Sequence, residues 1–282
     1  MKTFAEMTET EPNTVMIVDA LNLAFRYKHS GERNFLASYV RTVESLKKSY
    51  KADKVIIACD SGSSSYRKNL LPSYKENRKD KFELQTEEEA QAFKDFFDDF
   101  NKVMEYYEKE SNYPTFRFNK TEADDIAAYI IKRRKSFGIS TAWLISSDRD
   151  WDLLVVPGVN RFSYVTRKEV TNENWKDHYD CEPEDYISIK CLQGDTGDNV
   201  PGVPGIGPVK AAGLVKQYGT TYDIIDSLPI SSKYKYIANL NAFGEDNLYL
   251  NYKLMDLVEF CDEALGEENC AIINAKLRAY LC

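Results

Sequence analysis

Two short, unbroken apolar runs mark the first sixty residues: Val15-Met16-Ile17-Val18, stopped by Asp19, and Val55-Ile56-Ile57-Ala58-Cys59, stopped by Asp60. Runs of this length without alternation suit strands buried on both faces of a parallel sheet. Between them, residues 37–50 carry apolar positions at helical spacing and predict the crossover of a βαβ unit. A third run, Ala142-Trp143-Leu144-Ile145, passes into Ser146-Ser147-Asp148-Arg149-Asp150, and a fourth strand is expected at 162–165.

Helical periods fill the intervals. Over 86–110, Phe93, Phe96, Phe97, Phe100, Val103, Met104 and Tyr107 recur at three- and four-residue steps and read as core or as a channel wall. Thr121 is the expected N-cap of another helix, with Asp124 at the capping-box position, Ile126, Ile130 and Ile131 on its buried face, and an end near Gly138. Beyond about Thr171 the character changes to a helix over 185–192, a glycine-rich stretch, and polar helical segments to the C-terminus. The expected organisation is a polar, flexible 1–13, an α/β domain over 14–180 and a helical region over 181–282.

Composition narrows the classes. Of 282 residues, 43% are hydrophobic and 29% charged, with only 9 Pro and 13 Gly, which excludes collagen-like and wholly disordered chains. Six cysteines without a CxxC pair, and two histidines, give no support to a disulfide framework or a zinc site, so a reducing cytoplasm is expected. The opening residues lack a signal-like apolar stretch, and no run approaches the roughly 18 apolar residues of a membrane helix. A net charge of −8 argues against nucleic-acid binding until the acids are mapped.

Nine of those acids fall into few places: Asp19, Asp60 and Asp148 behind strands, Glu122, Asp124 and Asp125 at a helix start, Asp150 two residues past Asp148, and Asp195 and Asp198 in the glycine-rich loop. Without them, 37 basic residues face 36 acids, so a local basic surface can still meet phosphate. In open parallel sheets the functional crevice lies beyond the carboxyl ends of the strands, which draws the set together. Taken singly, such acids serve helix dipoles and turns. Their coincidence around one edge points instead to hard divalent cations with oxygen ligands, and nine carboxylates can serve more than one ion.

Residues 66–81 form the most basic stretch, with Arg67, Lys68, Lys75, Arg78, Lys79 and Lys81 against two acids and Tyr66 and Tyr74 interleaved. Lys75 and Arg78, at i and i+3, are expected on one helix face, in a mobile cover whose cations hold a scissile phosphate. Gly202, Gly205, Gly207 and Lys210 fall in a helix-hairpin-helix pattern, in which N–H groups at the next helix start meet phosphate without reading bases. No G-K-[ST] follows and no strand precedes it, which sets aside a P-loop and a dinucleotide site.

In combination and order, MIVDALNLAFR (16–26), LPSYKENR (71–78), TEADDIAAYI (121–130), LISSDRDWDLL (144–154) and GDTGDNVPGVPGIG (194–207) resemble the 5′-nuclease or flap endonuclease family, which includes phage 5′-3′ exonucleases and the nuclease domain of bacterial DNA polymerase I. The resemblance runs from about Val15 to Leu265. It implies a PIN-like, mostly parallel sheet flanked by helices, a helical arch at about 66–110, and a helix–three-turn–helix over 185–219 that grips duplex DNA. It implies a monomer that hydrolyses branched or 5′-ended DNA in phage replication, with Mg²⁺, replaceable by Mn²⁺, and K⁺ at the hairpin. Asp60, Glu122, Asp124 and Asp125 then serve one metal region, Asp148, Asp150, Asp195 and Asp198 another, and Asp19 bridges nearby. Lys75 and Arg78 stabilise charge on the phosphate, Arg26 assists, and Tyr74 stacks on an unpaired base. Two departures stand out: Glu76 where the family has a small residue, and Lys210 three rather than two positions after Gly207. The alternatives are a PIN-type ribonuclease, which needs no duplex-gripping hairpin, and a non-catalytic helix-hairpin-helix scaffold whose acids bind structural cations. An aspartyl-phosphate phosphatase is disfavoured by Ala20-Leu21 after Asp19.

Overall fold

The structure is a computed structural model that describes residues 13–78 and 84–281. The expected flexible N-terminus, apart from Asn13, and residues 79–83, which include Lys79 and Lys81 of the basic stretch, lie outside the described residues.

Six strands form one sheet: β1 (Thr14–Asp19), β2 (Lys54–Cys59), β3 (Thr115–Arg117), β4 (Thr141–Ile145), β5 (Val159–Ser163) and β6 (Lys168–Val170), in the order β3-β2-β1-β4-β5-β6. All neighbours run parallel except β6, which returns antiparallel on β5. The unbroken apolar runs have a direct cause, since successive side chains point to opposite faces and both faces are covered. Val15 and Ile17 join Ile56, Ala58 and Leu144 in a core beneath α5 (Ala123–Lys132) and α10 (Leu257–Leu281). Met16, Val18, Val55 and Ile57 join the opposite core, beneath α1 (Ala20–Ser30), α2 (Leu36–Ser49) and α4 (Glu87–Lys109), the elements before α4 including α3 (Ser65–Leu70). Phe96, Phe100, Val103, Met104 and Tyr107 of α4 are buried there, so the aromatic stripe is core.

Several local features depart from the sequence-based expectations. The crossover from β1 to β2 holds two helices, because Asp19 caps α1 by accepting from Asn22 N at 3.2 Å and Gly31 closes it at φ 70°. The cap of α5 is Glu122 and not Thr121, and no side chain of the helix closes it; Ala123 N donates to Asp60 Oδ1 at 2.6 Å instead. That helix ends at Lys132, and turns carry the chain to Gly138. The fourth long strand ends at Ser163, because Arg167 N already closes a turn on Ser163 O at 2.8 Å. Two edge strands of three residues each, β3 and β6, gave no periodic signal.

The helical region contains α6 (Tyr186–Gln193), α7 (Pro208–Tyr218), α8 (Thr221–Asp226) and α9 (Lys235–Met255), packed around Leu192, Leu214, Ile224, Leu240 and Leu248. The chain then returns: Leu257, Cys261, Leu265, Ile273 and Leu277 of α10 complete the core under β1 and β2. Among the described residues, no helix is long and apolar enough to cross a membrane.

Candidate active site

Parallel pairing of β1 with β2 and β4 delivers Asp19, Asp60 and the 146–150 turn to one edge of the sheet. Asp19 is buried and accepts from Ser146 Oγ at 2.7 Å. The same Oγ accepts from Asp148 N at 3.1 Å, and Asp148 Oδ1 accepts from Asp150 N at 2.9 Å, so the hydroxyl ties Asp19 to the turn and the Asp148 carboxylate orders the turn up to Asp150. Arg161, buried against Asp152, donates from Nη1 to Ser146 O at 3.0 Å and holds that turn in place. Asp60, through the Ala123 N–H, ties the end of β2 to the start of α5. There Asp124 accepts from Trp151 Nε1 at 2.6 Å, which links α5 back to the turn after β4.

The electrostatics follow from crowding and burial. Burial, then the charges of Asp60 and Asp148, hold Asp19 well above the usual carboxylate range. Asp124 is raised in the same way by burial, then by Asp148 and Asp60. Burial pushes Asp60 up to about 6 against the opposing Ala123 N–H, and pushes Asp150 up to about 6 against opposing Lys190. Glu122 goes the other way, because Lys75 and Arg67 outweigh its burial and hold it at about 2.

Four cations stand among these acids, Arg67, Lys75, Arg78 and Lys190. Lys75 Nζ lies 2.7 Å from Glu122 Oε1 and 3.5 Å from Asp198 Oδ2, and Arg78 Nη2 donates to Asp198 Oδ1 at 2.7 Å. Lys190 Nζ lies 2.7 Å from Asp150 Oδ1 and 3.7 Å from Asp195 Oδ2. Among the described residues, no group of three or more His, Cys, Asp or Glu side chains is drawn together closely enough to hold a metal ion as it stands. By chemistry the set fits a hard divalent cation: every donor is an oxygen, several resist ionisation, and positive side chains are already drawn to them.

Other residues singled out from the sequence take varied places. Asp125 gives both carboxylate oxygens to Arg67, at 2.8 Å each, in a buried bidentate pair, and the same Arg67 Nη1 lies 3.4 Å from Glu122 Oε2. Tyr74 is 2% exposed and presents no face to a base; its hydroxyl lies 2.7 Å from Asp198 Oδ2 and 3.0 Å from Glu122 Oε2. Lys75 has φ 55°, so it and Arg78 share Asp198 rather than a helix face. Their segment is docked on the 195–199 loop, with Lys75 N donating to Asp198 O at 2.9 Å, Asn77 Nδ2 to Thr196 O at 2.8 Å and Asn199 Nδ2 to Ser73 O at 2.8 Å. Glu76 is exposed beside it. Arg26 leaves this cluster, its guanidinium lying 4.4 Å from the Tyr164 ring centre. Sequence reasoning passed over Lys190 and Ser146; the one signal for Lys190 was a lone cation inside the apolar stretch Ile-Lys-Cys-Leu.

The hairpin sorts its glycines by cause. A Cβ on Gly202 would stand 1.9 Å from Gln193 O, and one on Gly194, at φ 68°, 2.3 Å from Gly202 N, so these two let the loop cross itself. Gly207, at φ −101°, caps α7 with nothing within 4 Å of its would-be Cβ, so no contact inside the molecule requires glycine there. Gly205, at φ 81°, is left-handed, and Lys210 Nζ donates to its carbonyl at 2.7 Å.

Residues 14–180 match the family model of the 5′-3′ exonuclease N-terminal resolvase-like domain, and residues 181–276 that of the 5′-3′ exonuclease C-terminal SAM fold. Over 268 residues the chain is 41% identical to a flap endonuclease of Escherichia phage T5, covering 93% of this chain and 91% of that protein. A phage T5 flap endonuclease solved as a pseudo-enzyme–product complex with DNA and metal ions superposes with a TM-score of 0.89 at 39% identity, over 95% of this chain and 99% of that one. The T5 5′-exonuclease with bound divalent zinc gives 0.90 at 39% identity, over 95% and 100%.

Proposed function

This chain belongs to the 5′-3′ exonuclease family and is a divalent-metal-dependent, structure-specific 5′-nuclease, and from that premise we propose how its residues divide the work. The substrate is a 5′ flap or other 5′-ended branch of the kind that phage-type DNA replication produces, bound by a monomer. Asp19, Asp60, Asp124, Asp148, Asp150 and Asp195, with Glu122 and Asp198 at the margin, would hold Mg²⁺, which when bound would supply an activated water and neutralise phosphate charge. Lys75 and Arg78 place positive charge beside the phosphate oxygens, where it counts most as the bond breaks. Lys190 stands between Asp150 and Asp195 with an ammonium proton available to the departing oxygen. Ser146, held by Arg161, orients Asp19, and the Arg67–Asp125 pair fixes the start of α5; these are positioning residues. Backbone N–H groups at the start of α7, which Gly207 leaves open to approach, hold duplex phosphates.

The observation that carries this reading is the convergence of carboxylates from separate strands and loops on one sheet edge, with Lys75 and Lys190 among them. Its test is an end-labelled 5′-flap duplex incubated with and without Mg²⁺. Cleavage near the junction only with the metal is expected. Binding without cleavage would establish the scaffold alternative, and equal cutting of unbranched RNA would favour the ribonuclease.

A further inference from the structure

Three consecutive side chains of the 3-10 turn Arg149–Leu154, which Asp148 caps, part in three directions. Asp150 meets Lys190, with Oδ1 2.7 Å from Nζ, and Asp152 is buried against Arg161. Between them Trp151 is fully buried, in the core that α5 and α10 share with the sheet. A buried indole N–H needs an acceptor. Trp175, almost as deeply buried, finds an ordinary one, the backbone carbonyl of Cys181 at 2.8 Å. Trp151 instead donates to a carboxylate of the acidic cluster, Asp124 Oδ1 at 2.6 Å.

The choice of donor has a consequence for Asp124. Its neighbours in the chain are already committed: the Ala123 N–H goes to Asp60 Oδ1 at 2.6 Å, and Asp125 is paired with Arg67. No hydrogen bond of the described residues reaches Asp124 Oδ2. Glu122 and Asp150 meet ammonium groups, which compete with any cation for the same oxygens, whereas Asp124 meets a donor that carries no charge and cannot act as a ligand. One oxygen is fixed and the other is left for the cleft. The bond also spans two groups of acids. Asp60, Glu122 and Asp124 gather where β2 meets α5, Asp148 and Asp150 follow β4, and Trp151 belongs to the turn of the second group while holding a member of the first.

We propose that Trp151 is a positioning residue, whose indole N–H sets the orientation of Asp124 and, through the turn it shares with Asp148 and Asp150, the separation of the two carboxylate groups. The inference rests on the nuclease reading and extends it to a side chain that touches neither substrate nor ion. Donors behind a carboxylate ligand fix its orientation, and their loss typically weakens metal affinity by about 10- to 100-fold.

The test is Trp151→Phe, which keeps an aromatic ring in the core and removes the N–H. Mn²⁺ binding, followed by electron paramagnetic resonance of the free ion, should weaken about tenfold or more at one class of site. Affinity for a labelled 5′-flap duplex in a chelating buffer should stay within about twofold, because the hairpin is untouched. Trp175→Phe, an equal loss of ring size and N–H away from the acids, should bind Mn²⁺ like wild type. Unchanged Mn²⁺ binding in a folded Trp151→Phe would overturn the proposal, and so would an equal loss in Trp175→Phe, which would trace to general loosening. A second measurement needs no variant at the site. Of the three indole N–H resonances of the ¹⁵N-labelled wild-type chain, told apart with Trp175→Phe and Trp143→Phe, that of Trp151 should move saturably as Mg²⁺ is added while that of Trp175 stays in place. A Trp151 resonance indifferent to Mg²⁺ would overturn the proposal even if Trp151→Phe failed to fold. A wild-type chain that bound no Mn²⁺ would remove the nuclease reading and this inference with it, whereas normal wild-type binding with an unaffected Trp151→Phe would remove this inference alone.

Discussion

Asp60 and Glu122 belong to one cluster, yet burial carries the first up to about 6 while Lys75 and Arg67 draw the second down to about 2. Neighbours, and not residue type, decide which acids hold charge without help. Asp150→Asn should abolish flap cleavage while duplex affinity stays within about tenfold, since a lost oxygen ligand removes water activation and leaves the hairpin grip intact. Cleavage and anisotropy measured on one substrate check this; parallel loss of both would reassign Asp150 to binding. Away from the site, Asp99 is buried and is held well below the usual carboxylate range: burial opposes its charge, but Arg33, the Asn34 N–H and Lys102 outweigh it. A depressed folded-state pKa contributes stability above the unfolded value, near 4, and that contribution fades as pH falls towards the folded one. Asp99→Asn should therefore cost about 1–3 kcal/mol in urea unfolding at pH 7, with the gap to wild type narrowing below about pH 4. A gap independent of pH would contradict the charged network.

Among the secondary elements, α3 is joined to α5 by the Arg67–Asp125 pair and to α9 by Arg67 Nε on Leu254 O at 2.9 Å. Removing one partner of a buried pair leaves the other charge uncompensated, so Arg67→Ala should destabilise by about 3–5 kcal/mol, while Arg67→Met/Asp125→Leu recovers much of the loss. Chemical denaturation of the three proteins decides; a double variant no better than the single one would mean that the hydrogen bond to Leu254 dominates. The hairpin supports a second contrast. Gly202→Ala forces a Cβ to 1.9 Å from Gln193 O and should disrupt the loop, whereas Gly207→Val meets open space and should melt like wild type while losing duplex binding. If Gly207→Val kept its affinity for a 5′-flap duplex, the start of α7 would not be the duplex anchor.

The whole molecule is knitted by its last helix. Ile273 and Leu277 of α10 are fully buried beside Val15, Ile17 and Ile56, more than two hundred residues earlier, so the helical region cannot leave the sheet without opening its core. Ile273→Ala should cost about 2–5 kcal/mol through lost transfer energy and a cavity. Tryptophan fluorescence and far-ultraviolet circular dichroism should follow one shared unfolding transition, shifted together in the variant. Two separated transitions would show that the sheet and the helices unfold independently.

Much of this was legible in the chain itself. Unbroken apolar runs ending in aspartate predict parallel strands covered on both faces, because backbone alternation alone sends Ile17 and Val18 to opposite cores. The same logic brings Asp19, Asp60 and Asp148 to one edge, and glycine spacing marks a hairpin. Contacts between residues far apart in sequence were not legible. Nothing local distinguishes Asp125, spent on Arg67, from Asp124 one residue earlier, which faces Trp151 and the open acids. Nothing local turns Tyr74 inward between Glu122 and Asp198 or Arg26 out towards Tyr164. Those choices depend on which partners packing brings within about 3 Å of a side chain in a poorly hydrated interior, where an unpaired charge is expensive and a met one is held in place. Element and edge are consequences of pattern, whereas the partner of each charge is a consequence of tertiary packing.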